Sequence, residues 1–321
     1  MRRLRLGTRG SRLALWQASW VARALSGLPH GPDVEVVVVK TRGDAVADRP
    51  IAAVGSTGVF VKEIEEALLR REVDLAVHSL KDLETRMPSG ITLAAVPPRG
   101  PVEDCLVAAG AVTVDSLPQG AVVATGSPRR EALLRDRRPD LRFAPIRGNV
   151  PTRIEKVLAG EADATVLARA GLQRLELMAH SRETLDPAEF SPAPGQGALG
   201  IQCRTDDGDT GEILRLLDDA GARAAVTAER AFLRTLGSGC HLAAGAWGRI
   251  APDGASLLLT AFVGSGTRPE LHRGERTGGA AGADALGTAI AKELMGRASR
   301  ELLHELAAGS RSHDAAGGDG A

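Results

Sequence analysis

Short apolar runs alternate with helical spacings along the first two-thirds of the chain. Leu4 to Arg9 reads as a short strand, and Ser11 then precedes Leu13, Leu15, Trp16, Trp20 and Leu25, whose spacing suits a helix packed by one face. Ser11 is a natural N-cap. Val34 to Val39 is β-branched throughout except at Glu35, which predicts a strand buried on both faces of a parallel sheet. Ala45 to Gly58 carries Pro50, Gly55 and Gly58 with little periodicity and predicts a mobile loop. Val59 to Arg71 is amphipathic, and Val73 to Leu80 is a strand leading into Lys81 and Asp82.

The same order recurs. Ala121 to Ser127 predicts a strand, and Pro128 opens a helix at the position where a helical proline is tolerated. Leu141 to Ile146 predicts a strand that ends in Arg147-Gly-Asn149, Thr152 to Leu158 a helix, and Ala164 to Ala168 another strand. Arg71-Glu-Val-Asp-Leu-Ala-Val-His78 and Gly160-Glu-Ala-Asp-Ala-Thr-Val-Leu167 read as variants of one βαβ plan.

The fold class is therefore α/β: two α/β lobes with a cleft between them, joined near Val96 to Glu103 and Ser191 to Gly200, plus a small C-terminal α+β domain. The apolar segment Ala198 to Cys203 is a candidate strand of the first lobe. The domains predicted are 1–97 with about 198–219, then 103–193, then 220–308, with 309–321 a disordered tail. The third contains a helix Ala224 to Leu236, strands near Ala243 to Ile250 and Ser256 to Val263, and a closing helix Ala283 to Leu306.

Forty Lys+Arg balance forty Asp+Glu, so no global charge recruits nucleic acid or membrane, and any electrostatic function must be local. Three Trp, five Phe and no Tyr leave little to stack bases on. Cys105, Cys203 and Cys240 lie far apart without metal-ligand spacing, so neither a disulfide framework nor a metal site is expected. With no apolar leader or membrane-length run, a cytoplasmic protein is expected.

Ligands of α/β sheets collect at the carboxyl ends of strands. Arg9, Ser11, Asp44, Lys81 and Asp82 occupy such ends in the first lobe, and Ser127, Arg129, Arg130, Arg147, Arg153 and Arg174 occupy strand ends or helix starts in the second. That set favours a ligand with several carboxylates or phosphates, because arginine grips such groups bidentately. Asp82, acidic in a cationic cleft, has two readings: a salt-bridged structural carboxylate, or a group that stabilises a developing cation or moves a proton. Cys240, in Gly237-Ser-Gly-Cys-His241, also has two: an inert small hydrophobe, or a nucleophile with room around its sulfur.

Thr8-Arg9-Gly-Ser11 with Leu13-Ala-Leu-Trp-Gln17, Thr41-Arg-Gly-Asp44, Phe60-Val-Lys-Glu63, Asp74 through Asp82, Arg147-Gly-Asn-Val-x-Thr-Arg153, Pro194-Gly-Gln-Gly-Ala198 and Ala228-Glu-Arg-Ala231 running on to Cys240 resemble the hydroxymethylbilane synthase (porphobilinogen deaminase) family, in family order from about Leu4 to Leu306. The resemblance implies two periplasmic-binding-protein-like domains and a third domain carrying a dipyrromethane cofactor, attached as a thioether to Cys240. It implies a transferase of porphyrin biosynthesis that joins four porphobilinogen molecules head to tail with loss of ammonia, then releases the linear tetrapyrrole by hydrolysis. The implied catalytic residues are Asp82, Lys81 and Arg9. The cofactor would be held by Ser11, Lys81, Asp82, Ser127, Arg129, Arg130, Arg147 and Gly148, and the substrate by Arg9, Arg147, Arg153, Arg174 and Gln196. A cytoplasmic monomer with no nucleic-acid or membrane partner is implied, and 45–58 would be the lid.

Several positions depart from the family pattern. Gly55-Ser-Thr-Gly58 replaces a lid that usually carries a lysine, Glu84 replaces a usual proline, Thr125-Gly-Ser-Pro-Arg-Arg130 replaces Thr-Ser-Ser-Leu-Arg-Arg, and a serine enters the glycine pair before Cys240. Thr57 and Glu84 are expected to weaken chain or substrate binding and leave the chemistry intact. The competing readings are a slower or specialised paralogue and a non-enzymatic, two-lobed polycarboxylate-binding protein.

Overall fold

The computed structural model describes residues 3–40, 61–237 and 242–314, with side chains described as far as 307. The predicted lid, Asp44, Cys240 and His241 lie outside the described residues. The chain divides into two compact units, Met1–Gly100 with Ala198–Arg223, and Pro101–Gly197 with Ala224–Ala321.

In the first unit β1 (Arg3–Thr8), β2 (Asp33–Val38), β3 (Leu75–Ser79), β4 (Ile91–Ala95) and, much later in the chain, β10 (Leu199–Arg204) form one sheet in the order β2-β1-β3-β10-β4. The first three strands are parallel, while β10 runs antiparallel between β3 and β4, with Leu199 opposite Ser79. Leu4, Leu6, Leu75 and Val77 pack with Ala18, Val21 and Leu25 of α1 (Arg12–Ser26) on one face. Val73 and Ala76 pack with Ile64, Ala67 and Leu68 of α2 (Lys62–Leu69) on the other. The strands covered on both faces are thus the interior ones, β1, β3 and β10. The run Val34 to Val39, predicted to be buried on both faces, instead forms the edge strand β2, where Val38 is 51% exposed. Its β-branched composition reports strand propensity, and only the sheet order decides which strand is central.

The second unit repeats the plan. Strands β5 (Asp104–Ala108), β6 (Val122–Ala124), β7 (Arg142–Ala144), β8 (Ala164–Ala168) and β9 (Ser181–Thr184) have the order β7-β6-β8-β5-β9, again with three parallel strands and then two antiparallel pairings. The helices α3 (Pro128–Arg137), α4 (Val150–Leu158) and α5 (Arg169–Arg174) follow the parallel strands. Strands β4, β5 and β9 were not predicted from the sequence.

After α6 (Gly208–Arg215) in the first unit, α7 (Ala220–Thr235) leads to an antiparallel meander of β11 (Ala243–Ile250), β12 (Ser256–Gly264) and β13 (Leu271–Gly279), covered by α8 (Ala283–Arg297) and α9 (Arg300–Asp314). Phe232, Leu257, Leu259, Ile290 and Leu294 form its core. Ala243 and Phe262 belong instead to the core built by Leu133, Leu134, Val166 and Phe190, so this meander and the second sheet share apolar packing. The closing helix predicted as one piece is two. Ala298 is extended, and Ser299 accepts from the Leu302 backbone N–H while its own N–H and hydroxyl donate to Glu270, a cap that restarts the helix. The second of these helices runs as far as Asp314.

Glu229 of α7, wholly buried, accepts from the backbone N–H groups of Gly195 at 2.6 Å and Gly248 at 2.7 Å. It ties the Pro194-Gly-Gln-Gly turn to β11. Glu229→Ala leaves two buried N–H groups without this acceptor, and a loss of about 3 kcal/mol in denaturant unfolding is expected.

Candidate functional site

The site in the first unit is assembled at the carboxyl ends of β1 and β3. Leaving β1, the chain passes half-buried Arg9 and reaches Ser11, whose hydroxyl accepts from the Ala14 N–H at 3.3 Å and starts α1. Buried Gln17, two turns along that helix, donates from Nε2 to the Ser79 hydroxyl at 2.7 Å. A single 3-10 turn, Leu80–Asp82, follows at once and is pinned by the bond from Leu80 N–H to the Ala198 carbonyl at 3.0 Å. Leu80 and Leu83 are buried, so the turn sends Lys81 and Asp82 outward, with Asp82 exposed. A cavity of about 70 Å³ is lined by Arg9, Ser11, Gln17, His78, Ser79 and Asp82 among others. This space is several times the roughly 10–15 Å³ needed to hold one water and admits a small polar arm of a ligand.

His78 is buried, and that burial, with help from the Arg9 charge and against the neighbouring Gln202 amide, lowers its pKa to about 4. The ring is neutral under physiological conditions. On the far side of Gln202, burial raises the pKa of Glu65, whose carboxylate accepts from Gln202 Nε2 at 2.7 Å.

In the second unit the structure sorts the predicted anion-binding residues into two groups. Ser127 caps α3, and half-buried Arg147 follows the adjacent strand β7. Gly148 has φ of 106°, and a Cβ there would sit 2.7 Å from Thr152 Cγ2, so only glycine suits the turn. Its carbonyl accepts from Arg153 Nε at 2.8 Å. Arg174, lowered to about pKa 10 by burial, donates to the Gly197 carbonyl at 2.6 Å.

Arg129, Arg130 and Gln196 behave differently. All three are buried and converge on Asp104, itself fully buried, with Arg129 Nη2 and Arg130 Nη2 each 2.7 Å from its two oxygens and Gln196 Nε2 at 3.1 Å. Arg129 also donates to the Ser191 carbonyl and Gln196 to that of Val102, each at 2.7 Å. Burial by itself pushes the Asp104 carboxyl up, but the two guanidinium charges outweigh it and hold it well below the usual carboxylate range. The sequence reading had these three residues facing a ligand. In the structure all three also bond the internal carboxylate of Asp104, which supplies the counter-charge that two guanidinium groups buried beside each other need. Asp104 was missed, and its signal was the Glu103-Asp104 pair set directly before the apolar run Cys105 to Ala108. Gln17 and Ser79 were likewise assigned no role, and nothing in the one-dimensional pattern pairs them.

Two βαβ-type sheets of one plan, with guanidinium, hydroxyl and carboxylate groups gathered at the carboxyl ends of the parallel strands, define an α/β protein that binds a small polar, multiply charged ligand. The family model described as porphobilinogen deaminase, dipyromethane cofactor binding domain, matches residues 4–212, and that of the porphobilinogen deaminase C-terminal domain matches 223–296. Porphobilinogen deaminase of Syntrophobacter fumaroxidans is 44% identical over 303 residues, covering 94% of this chain and 97% of that one. Its counterpart in Roseiflexus castenholzii is 45% identical over 300 residues, covering 94% and 98%. The chain belongs to the porphobilinogen deaminase family. Among solved structures, a putative methionine-binding lipoprotein of Bacillus subtilis is 15% identical over 67% of this chain and 88% of that one, with a TM-score of 0.41.

Proposed function

We infer that the chain catalyses the porphobilinogen deaminase reaction: stepwise head-to-tail condensation of four porphobilinogen molecules, with loss of ammonia, onto a covalently held dipyrromethane, followed by hydrolytic release of the linear tetrapyrrole. The observation that carries this reading is the family match over 94% of the chain. A two-lobed binding protein without chemistry leaves the matched C-terminal domain at 223–296 without a task.

The residues present suit the dipyrromethane group. It supplies the primer on which the product grows, and its carboxylate arms and pyrrole N–H groups call for cationic donors and an anionic acceptor respectively. Arg9 provides the first, with the neutral Ser11 hydroxyl as a further donor, and Asp82 the second around one cavity, and Lys81 stands beside Asp82 on the same turn. We assign Arg9, Lys81, Ser11, Ser127, Arg147 and Arg153 to carboxylates, with Gly148 giving Arg153 its anchor. Asp82 holds pyrrole N–H groups and assists proton transfer. Arg129, Arg130 and Gln196 act through Asp104, and Arg174 through the Gly197 turn. Cys240 is assigned as the thioether tether, alkylated once and not cycled at each turnover.

The proposed functional division follows 1–97 with 198–219, 103–193 and 220–308, which the C-terminal family match at 223–296 supports. No helix among the described residues is long and apolar enough to cross a membrane, and we take the enzyme to be a cytoplasmic monomer.

Intact-mass measurement tests the central assignment. Protein made with porphobilinogen available is expected to carry two linked pyrrole units, lost in Cys240→Ala, together with ammonia release by the wild type. An unmodified wild-type thiol and no ammonia would overturn the reading, and adduct retained in Cys240→Ala would overturn the tether.

A further inference from the structure

Among the described residues, His78 Nε2 and Gln202 Oε1 are buried without a hydrogen-bond partner, and His78 lines the Asp82 cavity. They belong to side chains that face each other. Gln202 lies opposite Ala76 on the neighbouring antiparallel strand and so shares a sheet face with His78; an amide oxygen can only accept, so a ring N–H is the donor that would satisfy both atoms. The orientation of Gln202 is itself set, because its amide nitrogen donates to Glu65 at 2.7 Å and therefore points away from the imidazole. A hydrogen bond from Nε2–H to Oε1 would satisfy both orphaned atoms. That tautomer leaves Nδ1 as a bare acceptor, in a residue that lines the cavity with Arg9, Ser11 and Asp82.

We propose that His78 is a substrate-binding residue that accepts, through Nδ1, a hydrogen bond from the protonated aminomethyl arm of porphobilinogen. The proposal rests on the function inferred above and deepens it. A lone pair at Nδ1 repels a carboxylate and attracts an N–H donor, and the neighbouring Asp82 charge attracts the same ammonium. The cavity has room for one such arm. Arg9, another residue of the lining, is the cation within reach of the acetate arm, which sits on the ring carbon next to the aminomethyl group. Because the ring binds protons so weakly, it holds the ammonium without deprotonating it, and the leaving group keeps the proton it needs to depart as ammonia.

Nitrogen-15 NMR of the wild-type protein is expected to show His78 neutral and protonated at Nε2 at pH 7. A ring protonated at Nδ1, or one titrating in the ordinary histidine range, would overturn the proposal regardless of any activity. Kinetically, His78→Leu is expected to raise KM for porphobilinogen about tenfold. For the counterpart carrying hydroxymethyl in place of aminomethyl the rise should be under threefold. His78→Asn, which returns an acceptor near the Nδ1 position, should restore most of the difference. Equal changes for the two substrates, or none, would sink the proposal. Absence of ammonia release by the wild type would instead count against the inferred function, while the NMR result would still decide the state of the ring.

Discussion

Asp82→Asn is expected to lower ammonia release from porphobilinogen by about a hundredfold to ten-thousandfold, the usual contribution of a positioned acid or base. The fold should be untouched. Asp82 is exposed on a 3-10 turn held by its apolar neighbours Leu80 and Leu83, so the substitution opens no hole and orphans no buried group. An unfolding free energy within about 0.5 kcal/mol of wild type is the corresponding expectation. Intact mass separates two ways of losing rate: a retained adduct with slow release places the defect in chemistry, and a missing adduct places it in primer assembly. A rate near that of the wild type would remove Asp82 from the reaction.

Asp104→Asn has the opposite profile, a stability defect out of proportion to any direct contact with substrate. Asp104 is fully buried and answers two buried guanidinium groups, each 2.7 Å away. Removing its charge while Arg129 and Arg130 stay is expected to cost about 3–5 kcal/mol, the range for breaking a buried pair from one side. Chemical denaturation would measure it. Adding Arg130→Met to Asp104→Asn should recover part of the loss, because the unpaired charge is the source; no recovery would mean that shape, not charge, is what the site requires.

The same triad fixes the direction of an acid dependence. The Asp104 carboxyl is held below its unfolded value, so its stabilising contribution is complete above that value. It falls away as pH drops from about 4, the ordinary aspartate range, through the lower folded pKa. Wild-type stability should therefore decline on acidification more steeply than that of Asp104→Asn, whose side chain carries no titrating proton.

Much of this arrangement is legible in one dimension. Ser11 and Ser127 announce helix starts through capping chemistry, Pro128 through its missing N–H, and the repeated Glu-x-Asp before an apolar strand announces the second sheet as a variant of the first. Each is a local effect, decided within a few residues. The Val34 to Val39 run shows where locality ends, because its composition marks a strand and says nothing of which neighbours cover it.

The amino-acid sequence by itself determined the two α/β sheets, the family, and the gathering of Arg9, Ser11, Lys81 and Asp82 at strand ends, since βαβ periodicity places such residues together without long-range information. Only the tertiary structure decided the direction in which charge is spent. Arg129, Arg130 and Gln196 have the residue types and positions of ligand-binding groups, but β5 runs antiparallel beside β8 and sets Asp104 at the same sheet end, opposite Ala168. A buried carboxylate then neutralises two of them. His78 is the converse case: a histidine among several in the chain, kept neutral beside the Asp82 cavity because sheet packing strips its water, with Gln202 brought to the same face by β10, a strand far off in sequence.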